Sequence, residues 1–165
     1  MKKHKLAVHF SSEKDDHETP EHVFEKLHRE FDFQVDGAAS KKNALLPKFW
    51  TKKDSAFNHS WVGLRVYINP PYGREINKWI EQAIHSVHHT HHNSRTIVVF
   101  LLPARTDTKW FEQCFIHASE IRFITGRLRF GNAKASAPFP SCVIVFDSKK
   151  SRLCDIKWVK FNEDK

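Results

Sequence analysis

Asn69-Pro70-Pro71-Tyr72 is the stretch of this 165-residue chain whose residue types and spacing could do chemistry. Each proline fixes its own φ near about −65°, and the residue before a proline is pushed out of the α region. Asn69 and Pro70 are therefore both expected to be extended. Neither proline carries an N–H, so the turn presents mainly acceptors. It offers the Asn69 side-chain amide, the Pro70 carbonyl at a fixed angle and the Tyr72 ring. These groups suit a planar amino group better than a phosphate, which would want glycine-rich N–H groups and a lysine. A Pro-Pro pair can also do no more than close a buried strand. The flanking residues weigh against that plainer reading. Val66-Tyr67-Ile68 favours a strand, and Ile76, Trp79, Ile80, Ala83, Ile84 and Val87 recur at helical spacing. Strand, turn and helix in that order put the tetrapeptide at a strand's carboxyl end, where open α/β sheets bind their ligands.

The elements that must position this turn can be followed along the chain. Residues 1–18 are polar, charged and aperiodic, which predicts a flexible arm. Thr19-Pro20 opens a helix, with Thr19 as its cap and Pro20 at its first position. Val23, Phe24, Leu27 and Phe31 form the apolar stripe of that helix, which is expected to end near Glu30. Phe31, Phe33 and Val35 alternate with polar residues and predict a strand over 31–36. It runs into Asp36-Gly37-Ala38-Ala39-Ser40, a carboxylate followed by small residues that would let a ligand approach the backbone. A lone Asp-Gly would read as an ordinary strand-to-loop turn. Residues 41–46 suggest a helical turn, 48–51 a short strand, and Asp54-Ser55 a loop.

Residues 96–103 are an almost unbroken apolar run, the pattern of a strand covered on both faces. A loop at 103–108 then leads to a second crossover helix carrying Trp110, Phe111, Cys114 and Phe115. The ending changes character. Residues 121–124, 127–130 and 142–146 read as strands with no helix between them, Thr125-Gly126 turning the first into the second, and 156–159 reads as an edge strand. The expected fold class is α/β, a mixed and mostly parallel sheet with an antiparallel C-terminal end. One domain over 19–147 would lie between the arm and a basic tail at 148–165.

Composition agrees with a single domain large enough to bury a core. Hydrophobic residues make up 40% of the chain, including 14 Phe and 5 Trp. No apolar run reaches the length of a membrane span, so no membrane partner is expected. Cys114, Cys142 and Cys154 form no C-x-x-C pair and leave an odd thiol, which fits a reducing, cytoplasmic setting. The 27 basic against 19 acidic residues give a net charge of +8, which favours a polyanion such as nucleic acid as partner. The oligomeric state stays open between a monomer and a weak dimer. His85, His88, His89, His91 and His92 crowd one segment. Their four-residue spacings would suit metal ligands, but no carboxylate or cysteine joins them, and a solvated helix end is the better reading.

The ordered set of motifs resembles the small phage-type DNA N-6-adenine-methyltransferases (the Dam-like family). The pieces that carry the resemblance start with Thr19-Pro20, Phe24 and Leu27, then Phe31-x-Phe33-x-Val35-Asp36-x-Ala38-Ala39, Asn43 and Trp61. They continue through Asn69 to Gly73, Trp79, Leu101-Leu102-Pro103-Ala104-Arg105-Thr106-Asp107-Thr108 and Trp110-Phe111. They end with Ile121-Arg122-Phe123, Gly126-Arg127-Leu128-Arg129-Phe130 and Ala137-Pro138-Phe139-Pro140-Ser141.

That likeness implies a Rossmann-like fold using S-adenosyl-L-methionine to methylate the exocyclic amino nitrogen of adenine in DNA, with the base flipped out. It would be a soluble enzyme of the bacterial host cytoplasm if phage-encoded. The catalytic residues implied are Asn69, Pro70, Pro71 and Tyr72. Cofactor contacts are implied for Thr19, Pro20, Asp36, Ala38, Ala39 and Asn69, with Asn43 or Asp54 on the ribose or the cofactor's adenine. The Ala38-Ala39 pair departs from the Gly-x-Gly usual in Rossmann-like methyltransferases. DNA contacts are expected from Arg74, Arg105, Arg122, Arg127 and Arg129, the last three being as compatible with a solvated strand face. Short or relaxed sequence specificity is expected, because little chain follows Phe146 for a recognition domain. No metal is required. Two further readings stand beside this one. The same acceptors would serve methylation of a protein glutamine or of RNA, and a relative that only binds nucleic acid could keep the fold.

Overall fold

Ile97–Pro103 is buried at every position and forms the middle of the sheet. It belongs to a computed structural model that describes residues 17–131, 133–150 and 153–161. Of the arm predicted over 1–18, only His17 and Glu18 fall among the described residues, and residues 162–165 of the tail lie outside them. The described elements are α1 (Glu21–Phe31), β1 (Val35–Asp36), β2 (Arg65–Ile68), α2 (Ile76–His88), β3 (Ile97–Pro103), α3 (Lys109–His117), β4 (Glu120–Ile124), β5 (Ser141–Asp147) and β6 (Asp155–Val159). They build one six-stranded sheet in the order β1-β2-β3-β5-β4-β6. β1, β2 and β3 are mutually parallel neighbours. β5 runs antiparallel to both β3 and β4, and β6 returns parallel to β4. The expected mixed sheet is therefore present, but its C-terminal end is not antiparallel as a block: β5 alone is reversed.

Two clusters of buried side chains cover the two faces. Val66, Ile68, Val98, Phe100 and Leu102 meet Ile76, Trp79, Ile80 and Ala83 of α2 and Phe111 and Cys114 of α3. Tyr67, Val99 and Leu101 point to the other face, where Val23, Phe24, Leu27 and Phe31 of α1 cover them. The period-two alternation of β2 and β3 therefore has a helical layer on each side.

Three local expectations change. Pro20, not Thr19, is the N-cap of α1, and its carbonyl accepts from the N–H groups of Val23 and Phe24 at 3.0 and 3.1 Å. Thr19 stands outside the helix and spends its hydroxyl elsewhere. The strand over 31–36 shortens to Val35–Asp36, because α1 runs through Phe31 and Asp32 takes the left-handed conformation at φ 50°. Residues 127–130 are not a strand, so Thr125-Gly126 is not a hairpin turn. Leu128 and Phe130 are buried in the α1-side cluster, but their main chain is engaged outside the sheet. The Ala137 N–H donates to the Leu128 carbonyl at 2.7 Å, and the Gly131 N–H to the Glu18 carbonyl at 2.8 Å.

Arg122 is also corrected. It is neither on a solvated strand face nor exposed enough for the expected phosphate contact, for it is buried in an ion network. Its guanidinium donates to Glu120 at 2.7 and 3.0 Å and to Glu30 of α1 at 2.5 and 2.6 Å. The hydrogen bond from Arg122 holds the Glu30 carboxyl below its ordinary range. Glu120 is 1% exposed and also meets Lys150 at 3.5 Å and Lys157. Removing one partner of a buried pair leaves the other charge uncompensated, at about 3–5 kcal/mol. Glu120 keeps Lys150 and Lys157 and Glu30 is half exposed, so Arg122→Ala is expected to cost less than that, about 1–3 kcal/mol in chemical denaturation. Because the Glu30 pKa is depressed, its contribution is present above the unfolded value and disappears as pH falls through the folded one. The gap between wild type and variant should narrow on acidification.

Candidate active site

Parallel pairing aligns Asp36 with Tyr67 across β1 and β2, and Asn69 follows directly after β2. A cleft of about 70 Å³ opens at these two carboxyl ends. Asp36, Ala38, Asn43 and Leu45 line it from the β1 side; Tyr67, Asn69, Pro70 and Pro71 from the β2 side; and His17, Glu18 and Thr19 from the segment before α1. It is smaller than the roughly 150 Å³ cavity that takes a benzene ring. Gly37 makes the close approach of the strand ends possible. A Cβ there would stand 3.0 Å from side-chain carbons of both Val66 and Ile68.

Asp36 is 4% exposed. Its carboxylate accepts from the Leu45 N–H at 3.0 Å and the Ala38 N–H at 3.5 Å. Burial pushes its pKa up, and the two amide contacts pull part of the way back. No ion pair to Asp36 is formed among the described residues. A buried carboxylate without a counterion is a costly arrangement that a cationic ligand would relieve.

Asn69 donates through Nδ2 to the His17 carbonyl at 2.5 Å and to the Thr19 hydroxyl at 3.0 Å. A carbonyl can only accept, so the amide nitrogen must face His17. Among the described residues Asn69 Oδ1 is left buried without a hydrogen bond. The Thr19 hydroxyl also meets the Tyr67 hydroxyl at 2.7 Å. Burial drives the Tyr67 pKa far above the ordinary phenol value, so Tyr67 stays neutral in this chain of contacts. The Tyr72 hydroxyl donates to the Leu101 carbonyl at 3.3 Å. The Tyr72 ring meets Phe130 and Phe139 edge-on, at centroid distances of 6.1 and 5.7 Å, and stacks on the His17 ring at 5.0 Å and 21°.

The structure thus gathers Thr19, Asp36, Ala38, Asn43, Asn69, Pro70 and Pro71 at one cleft, with Tyr72 beside it. Asn43 Oδ1 is occupied in closing the turn at Ser40, accepting from its N–H and hydroxyl at 2.6 and 2.8 Å. Pro20 and Ala39 do not line the cleft. Pro20 caps α1, and the Ala39 N–H is bonded to the Trp50 carbonyl at 3.0 Å. Asp54 does not join either; it lies exposed beside His59 at 3.3 Å. His17, Glu18, Leu45 and Tyr67 escaped the sequence reading. Only Tyr67 left a signal, a hydroxyl in an otherwise apolar strand.

Arg74, Arg105, Arg127 and Arg129 are exposed. Arg74 lies two residues beyond Tyr72, and Arg127 and Arg129 alternate with the buried Leu128 and Phe130. At the end of α2, His85 and His89 stack at 4.0 Å. Among the described residues no group of three or more His, Cys, Asp or Glu is placed to hold a metal ion. No helix among them is long and apolar enough to cross a membrane.

Comparison with known proteins points in one direction. The chain is 30% identical over 146 residues to the DNA N-6-adenine-methyltransferase of Haemophilus phage HP1 (strain HP1c1), spanning 84% of this chain and 82% of that protein. It is also 30% identical over 112 residues to the DNA N-6-adenine-methyltransferase of Escherichia phage T1, spanning 67% of this chain and 44% of that longer protein. The sequence profile described as DNA N-6-adenine-methyltransferase (Dam) matches residues 8–153, a stretch holding all the cleft residues above. By this match and by its likeness to the phage HP1 protein, the chain belongs to the DNA N-6-adenine-methyltransferase (Dam) family.

Proposed function

We propose that this protein transfers the methyl group of S-adenosyl-L-methionine to the exocyclic amino nitrogen of an adenine flipped out of DNA. The observation that carries this reading is the Asn69 Oδ1, a buried acceptor with no donor among the described residues, one residue from the Pro70 carbonyl and three from the Tyr72 ring. An adenine amino nitrogen is a poor nucleophile because its lone pair is delocalised into the ring. Asn69 Oδ1 and the Pro70 carbonyl would accept its two N–H bonds and draw the nitrogen towards tetrahedral geometry. They are fixed before reaction, which is electrostatic preorganisation of the kind that dominates many enzymes. They accept hydrogen bonds and not protons; the proton released from the methylated nitrogen passes to water. Tyr72 would hold the base by stacking.

The cleft fits the amino-acid end of the cofactor. Asp36 supplies a buried carboxylate without a counterion for the ammonium group, and Ala38 adds little bulk. Bound there, the cofactor would supply an electrophilic methyl on its sulfonium. The protein's share is to hold donor and acceptor in line. Among the described residues, a sheet whose reversed strand is β5, with helices on both faces, supports a Rossmann-like methyltransferase domain, one that takes in β6 at Asp155–Val159 and so runs past the expected boundary at 147. The +8 charge and exposed Arg74, Arg105, Arg127 and Arg129 support DNA as the partner, with phosphates met by these side chains.

Incubation with methyl-labelled cofactor and unmodified DNA, RNA and a protein extract tests the reading directly. Label should enter DNA, and label in protein or RNA alone would sink it. In the same assay Asn69→Ala is expected to lower kcat by about 10²–10³-fold, as loss of one preorganised polar group does elsewhere, with cofactor affinity nearly unchanged.

Asp36→Asn should weaken cofactor binding by about tenfold or more in titration calorimetry, the scale of a lost charged hydrogen bond. The raised pKa sets the sign of the pH dependence. Stability from protonated Asp36 is complete below the unfolded value and is lost as pH rises through the higher folded value. Cofactor affinity moves the other way: wild-type binding should weaken on acidification from above the ordinary carboxylate range, and Asp36→Asn should lose that dependence.

A further inference from the structure

Tyr72 already has a partner. The His17 imidazole stacks on its ring at 5.0 Å with the planes 21° apart, and meets Phe130 and Phe139 edge-on at 5.0 and 5.4 Å. A planar nitrogen heterocycle from the protein's own chain thus sits in a three-walled aromatic box. Centroids 5.0 Å apart lie within direct ring contact, about 4.5–7 Å, so no base can slide between His17 and Tyr72. Two further anchors hold the same segment. The His17 carbonyl takes the Asn69 Nδ2 donor at 2.5 Å, and the Glu18 carbonyl takes the Gly131 N–H at 2.8 Å.

We propose that His17 is an internal stand-in for the target base: its ring fills the base subsite in the free protein and must leave for adenine to enter. The inference rests on Tyr72 receiving the flipped base. It adds that Phe130 and Phe139 are the other walls of that subsite and that the protein gates itself. Release also frees the Asn69 amide from the His17 carbonyl, so clearing the box and relaxing the amino-group acceptor are one event. The apparent affinity for a flipped base is reduced by the fraction of molecules in which the box is open. Removing the ring should raise that fraction, and keeping a ring of another chemistry should not.

His17→Ala and His17→Phe, assayed for label transfer from methyl-labelled S-adenosylmethionine to unmethylated mixed-sequence duplex DNA, separate the outcomes. His17→Ala should raise kcat/KM by about fivefold to tenfold, which corresponds to a box closed in most free molecules. His17→Phe, which keeps a stacking ring, should stay near wild type and reports that the segment still folds. Proton NMR of the free protein should show His17 ring protons shifted upfield by Tyr72, and saturating DNA with S-adenosylhomocysteine should return them towards ordinary positions. Unchanged or slower transfer by His17→Ala, or a His17 signal that stays shifted on saturated DNA, overturns the proposal. A wild type that labels no DNA fails the functional reading itself, whereas an active wild type with an indifferent His17→Ala fails only the stand-in.

Discussion

The parallel register of β1 on β2 is the constraint from which the site follows. β1 is only two residues long, so its place cannot come from its own ladder. It is held from both sides instead. Gly37 N–H donates to the Tyr67 carbonyl at 2.8 Å and Gln34 N–H to the Arg65 carbonyl at 2.8 Å, while Asp36 and Trp50 bond across the other edge at 2.9 Å. A slip of one residue in a sheet sends each side chain to the opposite face. Such a slip would turn Asp36 away from the cleft and bring Gly37, with no side chain, into its place. A slip that put Asp36 or Ala38 in the place of Gly37 would bring a Cβ to about 3.0 Å from side-chain carbons of Val66 and Ile68.

Two groups at the cleft are left energetically unfinished. Among the described residues Asp36 is a buried carboxylate without a cation, and Asn69 Oδ1 is a buried acceptor without a donor. Each is a cost that folding alone does not offset. They stand in contrast to Glu120, equally buried, which is met by Arg122, Lys150 and Lys157. The fold can satisfy a buried carboxylate where charge serves structure, and that contrast is what the proposed ligand site rests on. The proposed ligands differ accordingly: a cation for Asp36 and an N–H donor for Asn69.

Much of this was legible in the residues, and the failures have physical causes. β2, α2, β3, α3 and β5 follow from periodicity and unbroken apolar runs, because each is long enough for its pattern to exceed local noise. The turn at Asn69 was legible because proline restricts the backbone whatever surrounds it. Residues 127–130 alternate polar and apolar and still leave the sheet, since the Leu128 carbonyl is taken by Ala137, the Phe130 carbonyl by Ala133, and the adjoining Gly131 N–H by Glu18, from outside the window that periodicity sees. Arg122 misled for a related reason. It sits among apolar neighbours like its exposed counterparts, and its pairing with the buried Glu120 and with Glu30 from α1, 92 positions away, is a tertiary arrangement that periodicity does not show. His17 carried no signal at all, because its significance lies wholly in a tertiary contact with Tyr72.

That contact joins two sites that the sequence presents separately. His17, Glu18 and Thr19 line the cleft beside Asp36, and the same His17 stacks on Tyr72. Thr19 bonds both Asn69 and Tyr67, and Tyr67 lies in register with Asp36. A displacement of this segment therefore cannot act on the base side alone. It would release both hydrogen bonds of Asn69 Nδ2, remove three residues from the wall of a cleft of only about 70 Å³, and alter the setting of the Tyr67 hydroxyl next to Asp36. Coupling between two sites needs a shared element with two arrangements that both sites bias. Residues 17–19 are physically continuous with both and are held mainly by hydrogen bonds and one ring stack. Cofactor and target base would in that case act on one common element, and each would change the affinity for the other by the same factor.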